Sequence, residues 1–178
     1  HAAGRVYVQH PFGRPVHPLE ARRDLEPAAK RIDAATLRSL LDVRPGRVVF
    51  TNGVFRLPHA GHAALFRWAK AQGDTLIVGI NDDASAASQR PGEFILPLEE
   101  RVACLAAMTA VDWIVSFSDD TPESVIAILR PDVLAKGPEY AGQEATLPGA
   151  EFVKHVLIAP PSPFPRHATA LVEAIRTG

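Results

Sequence analysis

The sequence is poor in cysteine, in long apolar runs and in net charge. Cys104 is the single cysteine, which excludes an intrachain disulfide and a zinc site built from cysteines. No apolar run reaches the roughly 18 residues of a membrane span, and no signal-peptide pattern opens the chain. The net charge of −1 excludes a global basic field for nucleic acid. We therefore expect a cytoplasmic protein that binds neither membrane nor nucleic acid.

What the chain has is the composition of an ordinary folded domain. Its 178 residues are 47% hydrophobic and 22% charged, which excludes wholesale disorder. A chain of this length can form a hydrophobic core without disulfides or bound metals. Residues 1–47 carry nine Lys or Arg against five Asp or Glu and show little periodic apolar pattern before residue 28. We predict an N-terminal arm and short helix over 1–45 and one domain over 46–178.

From residue 47 onward, short apolar runs alternate with helical patterns. Strands are predicted at 47–51, 75–80, 112–117, 133–135 and 152–159. Helices are predicted at 28–42, 59–72, 97–110, 121–129 and about 167–176. The alternation predicts an α/β fold, a Rossmann-like open parallel five-stranded sheet with helices on both faces. Ligands of such sheets bind beyond the carboxyl ends of the strands, so candidate site residues are expected just after strands.

The most informative segment joins the first strand to the next helix. Gly53 permits close approach of a ligand to the backbone, and the helix that follows presents free N–H groups that favour phosphate. His59 and His62 lie three residues apart, so both rings fall on one side of the first turn, with Gly61 between them. This arrangement suits phosphoryl chemistry in which charge builds on a phosphate chain. A shared metal ion is an alternative for the pair, but no third ligand supports it, and we predict no protein-bound metal.

The segment resembles the His-x-Gly-His signature of the nucleotidyltransferase superfamily that includes the cytidylyltransferases. Within it, the likeness extends to the adenylyltransferases that act on heptose 1-phosphate. Seven collinear blocks carry the resemblance, at 48–53, 59–62, 73–85, 97–101, 111–115, 120–123 and 131–137.

The resemblance implies an enzyme that transfers AMP from ATP, with Mg²⁺, to a phosphorylated sugar such as heptose 1-phosphate, releasing pyrophosphate. It implies catalytic roles for His59 and His62 and a possible homodimer. The implied nucleotide-binding residues are Thr51, Asn52, Gly53, Phe55, Gly61, Arg101, Lys136, Gly137 and Thr169. The expected substrate-binding residues are Arg56, Asn81, Asp82 and Arg166. For Asn81 and Asp82, a plain turn that uses the side chain to bond the backbone is an equal alternative.

The chain departs from the family pattern mainly on the acceptor side. Val-Phe-Arg at 54–56 stands where the family usually has Cys-Phe-Asp, and Gly-Glu-Phe-Ile-Leu at 92–96 replaces Gly-Arg-Pro-Val-Asn. A phosphate-binding lysine of the family is absent near residues 88–92, where Arg90 could substitute. Two alternatives therefore stay open: a cytidylyltransferase-type enzyme on another acceptor such as glycerol 3-phosphate, and a nucleotide-binding homologue without turnover.

Overall fold

A computed structural model of the chain describes residues 8–9, 15–16, 27–43, 46–164, 169–170 and 172–173. The N-terminal strands are β1 (Val8–Gln9) and β2 (Pro15–Val16), which pair antiparallel. The main sheet contains β3 (Val48–Gly53), β4 (Thr75–Asn81), β5 (Trp113–Phe117), β6 (Val133–Lys136) and β7 (His155–Ile158). The α-helices are α1 (Ala34–Asp42), α2 (Ala60–Lys70), α3 (Asp83–Gln89), α4 (Leu98–Ala106) and α5 (Glu123–Leu129).

The main sheet has five parallel strands in the order β5-β4-β3-β6-β7. The chain runs outward from β3 through β4 to β5, and then returns to the other side of β3 with β6. The strand order therefore reverses between β3 and β6, and a crevice opens there at the carboxyl ends of the strands. The predicted fold class is confirmed in strand number, direction and openness.

Helices cover both faces of the sheet. On one face, α2 and α4 bury Phe66, Ala69, Val102 and Leu105 against alternate strand residues. On the other, α1 and α5 bury a second cluster that includes Leu37 and Ile126. Burial on both faces explains why the strands are continuously apolar in sequence.

The predicted boundary at residue 45 separates two segments that the structure packs together. Leu37 of α1 is fully buried in the second cluster, and Ile32 N–H donates to Ile114 O at the edge of β5. Residues 31–42 therefore belong to the same core as the domain. The predicted arm over 1–27 falls mostly outside the described residues.

Helix boundaries differ from the predictions where capping decides them. The helix predicted at 28–42 begins only at Ala34, because Asp33 caps it by accepting the Thr36 N–H at 2.8 Å. Helix α3 follows β4 where no helix was predicted, and Asp82 caps it in the same way. The last predicted helix lies largely outside the described residues, although 169–170 and 172–173 are helical.

None of the described helices is both long and apolar enough to cross a membrane. Cys104 lies exposed on α4, as its position on the solvent side of that helix requires.

Candidate active site

A cavity of about 810 Å³ opens at the carboxyl ends of β3 and β6, where the strand order reverses. It brings together most of the site residues predicted from sequence. Those that line it are Thr51, Asn52, Gly53, Phe55, Arg56, His59, Gly61, His62, Asn81, Lys136, Gly137 and Thr169. Arg166 lies outside the described residues.

The two histidines form the start of α2 and are held by its backbone. His59 is the N-cap, and its Nδ1 accepts the Gly61 N–H at 3.1 Å. The His59 N–H in turn donates to Nδ1 of His62 at 3.3 Å, so the pair closes a capping box. The rings stack with centroids 3.8 Å apart and 25° between their planes. Because each Nδ1 accepts a hydrogen bond, the ring proton of each neutral imidazole resides on Nε2, which makes both Nε2–H groups donors.

Phe55 packs against the second histidine of this pair. It has a left-handed backbone (φ 46°), a conformation that a bulky residue adopts at a cost and that is frequent at functional sites. Its ring meets His62 edge-on at 5.1 Å and Phe66 at 5.2 Å. Phe55 is nearly buried, so its geometry indicates a residue that positions His62.

Gly61 is required by the position of the first imidazole. A Cβ at this position would lie 2.9 Å from Cε1 and 3.0 Å from Nδ1 of His59, tighter than real side chains tolerate. The glycine between the histidines therefore admits the ring of His59 over the first turn of α2.

Lys136 ends β6 on the opposite side of the crevice. Its Nζ donates to Asn52 Oδ1 at 3.1 Å, across the switch point from β3, and lies 4.5 Å from the centroid of the Tyr140 ring. Burial lowers the pKa of Lys136 to about 8, although the nearby Glu139 carboxylate opposes the shift. An anion in the cavity would restore the charged ammonium, so Lys136 is suited to phosphate.

Thr51 adds a polar atom that the described part of the protein does not satisfy. Its side chain is 1% exposed, and Oγ1 has no hydrogen-bond partner among the described residues. Buried hydroxyls are seldom left unpaired, so this atom supports a ligand contact at the end of β3.

The structure corrects the expected role of Arg101. Its side chain is fully buried and does not line the cavity. The guanidinium donates to Leu96 O, Val54 O, Asn81 O and Asp83 Oδ1, each at 2.8 Å. Arg101 therefore ties three loops of the site together from behind and offers no arm to a phosphate.

Of the two alternatives given for Asp82, the structure shows the one in which the side chain bonds the backbone, whereas Asn81 lines the cavity. Asp82 caps α3, and hydrogen bonds from Ser118 and the Ser85 N–H hold its pKa below the usual range. It does not line the cavity. Asn81 does, with its amide donating to Ser85 Oγ at 2.8 Å.

Arg56 lines the cavity as predicted, but its charge is already matched. Its Nε pairs with Glu93 Oε2 at 2.8 Å, and the guanidinium also donates to Phe94 O at 3.2 Å and Thr169 Oγ1 at 3.0 Å. Arg56 therefore lies where a substrate-binding residue was expected, with its positive charge paired to Glu93.

Several lining residues were not predicted as site residues. The most prominent are Leu65, Trp68, Glu93, Tyr140 and Ser162. Leu65 and Trp68 continue the helical spacing that begins at Gly61, and that spacing was the signal that could have found them. Glu93, Tyr140 and Ser162 come from loops, whose path over the cavity leaves no pattern in the sequence.

Similarity to known proteins shows the class to which the protein belongs. The sequence model of the cytidylyltransferase-like family matches residues 50–156. This is more than half of the chain, so the protein belongs to the cytidylyltransferase-like family. The predicted class, a nucleotidyltransferase enzyme, is confirmed at that level.

Within this family, the chain is similar to the bifunctional protein HldE of several bacteria. The bifunctional protein HldE of Pseudomonas paraeruginosa is 49% identical over 109 residues, which are 61% of this chain and 23% of that protein. HldE of Azotobacter vinelandii is 47% identical over the same shares. The chain thus spans about a quarter of the length of these curated relatives.

Two solved structures share the fold at low identity. The lipopolysaccharide core biosynthesis protein of Thermoplasma volcanium superposes with a TM-score of 0.56 at 19% identity, over 65% of this chain and 98% of that one. Pantoate-beta-alanine ligase of Francisella tularensis has a TM-score of 0.54 at 16% identity, over 82% and 76%. At these identities the likeness shows the fold alone.

Proposed function

We propose that this protein transfers a nucleoside monophosphate, AMP from ATP, to a phosphorylated sugar such as heptose 1-phosphate and releases pyrophosphate. The observation that carries the proposal is the stacked pair of His59 and His62 at the start of α2. Backbone N–H groups hold both Nδ1 atoms, and both residues line the cavity, so Nε2 of each neutral imidazole would be the atom that donates to phosphate. The site needs no protein nucleophile, because the acceptor phosphate supplies one.

The reaction is a single displacement at the α-phosphorus. An oxygen of the acceptor phosphate forms a bond to that phosphorus, and the bond to the oxygen bridging to the β-phosphate breaks. Pyrophosphate leaves with the bonding electron pair, and no electron is transferred. The two Nε2–H donors, the N-terminus of α2 and the ammonium of Lys136 stabilise the negative charge that develops on the phosphates.

We assign the cavity residues to the two substrates by the elements that carry them. The nucleotide is assigned to the β3 end, the α2 start and the β6 end, which include the Thr51 hydroxyl that no described residue hydrogen-bonds. The proposed nucleotide ligands are Thr51, Asn52, Gly53, Gly61, Lys136, Gly137 and Thr169. Asn81, Arg56 and the segment around Arg90 and Glu93 form the acceptor side.

The likeness to HldE, which is 49% identical over 109 residues, supports a heptose 1-phosphate acceptor. The choice of ATP as the nucleotide is in line with the Francisella ligase of the same fold, whose structure contains a form of ATP. A cytidylyltransferase-type enzyme on glycerol 3-phosphate remains the second candidate, favoured by the altered acceptor side.

Mg²⁺ is proposed as the partner of the triphosphate. Within the described residues, no three His, Cys, Asp or Glu side chains are grouped so as to hold a metal ion. Mg²⁺ is often bound chiefly through substrate phosphates and water, so the ion would enter with the nucleotide. No step above depends on a metal held by the protein.

The test is a pyrophosphate-release assay with ATP, CTP and GTP, each against heptose 1-phosphate, hexose 1-phosphate and glycerol 3-phosphate. We expect acceptor-dependent release that is fastest with ATP and a sugar 1-phosphate. Preference for CTP with glycerol 3-phosphate would favour the second candidate. Nucleotide binding without release for any pair would indicate a homologue that has lost turnover.

A further inference from the structure

Arg56 joins three separate segments at the mouth of the cavity. Its side chain is 11% exposed and holds Glu93, the carbonyl of Phe94 and the hydroxyl of Thr169. Its own carbonyl accepts the Leu96 N–H at 3.0 Å. One residue of the β3–α2 turn therefore fixes the 93–96 segment by both side chain and backbone.

Glu93 presents the part of its carboxylate that Arg56 does not use. The residue sits at the end of a tight turn, with its N–H donating to Arg90 O at 3.1 Å and Gly92 in the left-handed region that glycine favours (φ 74°). Oε2 pairs with Arg56, whereas Oε1 lies 3.9 Å from Nη1 of Arg90. The side chain is 36% exposed and lines the cavity.

We infer that Glu93, oriented by Arg56, is the residue that selects the acceptor, by accepting hydrogen bonds from hydroxyl groups of a sugar phosphate. This role rests on the proposed function, and the group that Glu93 recognises is a hydroxyl of the acceptor. The two oxygens of a carboxylate together have lone pairs for several donors. The Glu93 carboxylate can therefore accept from an arginine and still accept hydrogen bonds from hydroxyl groups.

Charge explains why the selected group is a hydroxyl. Arg56 would attract an anion if it stood alone, but Glu93 matches its charge at 2.8 Å. An anionic group placed beside this pair would meet the carboxylate at short range, and that repulsion disfavours it. Arg90, whose Nη1 lies 3.9 Å from Glu93 Oε1, stays as an exposed cation beside the pair. We therefore place the acceptor phosphate beside the histidines and Arg90, and the hydroxyl-bearing part of the acceptor against Glu93.

The sequence gives the pair a second meaning. In the family pattern noted above, an acid stands at position 56 and an arginine at position 93, whereas this chain has Arg56 and Glu93. The structure brings the two exchanged positions into contact. This chain therefore carries the base at position 56 and the acid at position 93, the reverse of the family pattern.

The test measures steady-state kinetics of Glu93→Gln and Glu93→Ala, with Glu100→Gln as the matched control on an exposed acid of α4. The loss of a hydrogen bond to a charged group predicts a rise of about 10- to 100-fold in acceptor KM, with the nucleotide KM changed by less than about threefold. Monodeoxy analogues of the accepted sugar 1-phosphate identify the contact. At least one analogue should be about tenfold poorer for the wild type and no poorer than its parent for Glu93→Ala.

The double variant Arg56→Glu with Glu93→Arg exchanges the two charges. It separates recognition of the acceptor by Glu93 from a purely structural role of the ion pair in holding the 93–96 segment. Either single change should speed amide hydrogen exchange at Leu96, and the double change should restore protection without restoring the acceptor KM. An acceptor KM within about twofold of the wild type in Glu93→Gln, Glu93→Ala and the double variant would overturn the inference. Wild-type protein that releases no pyrophosphate with any acceptor would overturn the proposed function and this inference with it.

Discussion

At the scale of single residues, His59 has two tasks that pull in different directions. It caps α2 by accepting the Gly61 N–H, and it lines the cavity, where we propose that its Nε2–H donates to phosphate. A substitution to alanine removes both functions, so a loss of activity could be confused with a frayed helix. Asparagine caps helices well but lacks the imidazole, and it therefore separates the two tasks.

We predict that His59→Asn lowers kcat by about 10²- to 10³-fold with little change in the free energy of unfolding, because an Nε2–H donor to the transition state is lost. His62→Ala should lower kcat similarly. His155→Ala, an exposed histidine on β7 away from the cavity, is the control and should keep wild-type turnover. Steady-state kinetics and urea unfolding on the same preparations check the prediction; unchanged kcat in both site variants would refute it.

Lys136 predicts a pH dependence of nucleotide binding. Burial brings its pKa from 10.5 down to about 8, so the ammonium is charged below that pH and neutral above it. We expect the nucleotide KM to rise as the pH increases through about 8, because the attraction for phosphate is lost. In Lys136→Gln the KM should be higher at neutral pH and flat across the same range. A wild-type profile without a rise between pH 7 and pH 9.5 would contradict the assignment.

The same shift has a consequence for stability. The folded protein binds fewer protons at Lys136 than the unfolded chain between pH 8 and pH 10.5, so this residue makes the free energy of unfolding increase with pH across that window. Lys136→Met should remove that increase. Urea unfolding of both proteins at pH 7.5, 8.5 and 9.5 measures the difference, and equal slopes with pH would contradict the prediction.

At the scale of elements, the β3–α2 turn could be predicted because its parts are neighbours in the chain. Gly53, His59, Gly61 and His62 all lie within ten residues, and the structure puts them together. Asp82 is likewise a local case, since the Ser85 N–H that it accepts is three residues away and the turn alternative was stated from the sequence. Arg101 was misplaced for the opposite reason. Arg101 is captured by carbonyls up to 47 residues away, and sequence pattern carries no record of such distant partners. Helix α3 was missed because its residues, Asp-Ala-Ser-Ala-Ala-Ser-Gln, show almost no apolar periodicity.

Gly61 offers a test of the turn as an element. Gly61→Ala adds a Cβ that would lie 2.9 Å from the His59 ring, so the ring must move. We expect kcat to fall at least about tenfold, because a displaced catalytic group loses its alignment. The free energy of unfolding should fall little or even rise, by up to about 1 kcal/mol, since alanine favours helix over glycine. Wild-type kcat in this variant would show that the ring position is not critical.

At the scale of the whole molecule, the order of the strands places the site, and the N-terminal helix completes the core. Alternation of strands and helices was enough to predict the parallel sheet and the edge at which ligands bind. The role of α1 was not predictable, because its partners in α5 lie about 90 residues further along the chain. Composition separated residues 1–45 from the rest, whereas burial joins 31–42 to it.

Leu37 tests this joining. The Leu37 side chain is fully buried and packs in the core cluster of α1 and α5. Leu37→Ala should therefore lower the free energy of unfolding by about 2–5 kcal/mol. Val43→Ala, at an exposed position at the end of the same helix, should cost less than about 0.5 kcal/mol. Urea denaturation compares them. Equal, small losses in both variants would show that α1 is an appendage rather than part of the domain.

The most direct test of the central claim is the stoichiometry of product formation from ATP and heptose 1-phosphate, followed by mass spectrometry and a pyrophosphate assay on one reaction. We expect one nucleoside diphosphate sugar for each pyrophosphate released by the wild type, and at least about 10²-fold slower formation of both by His59→Asn. Pyrophosphate without coupled product, or equal rates in the wild type and His59→Asn, would contradict it.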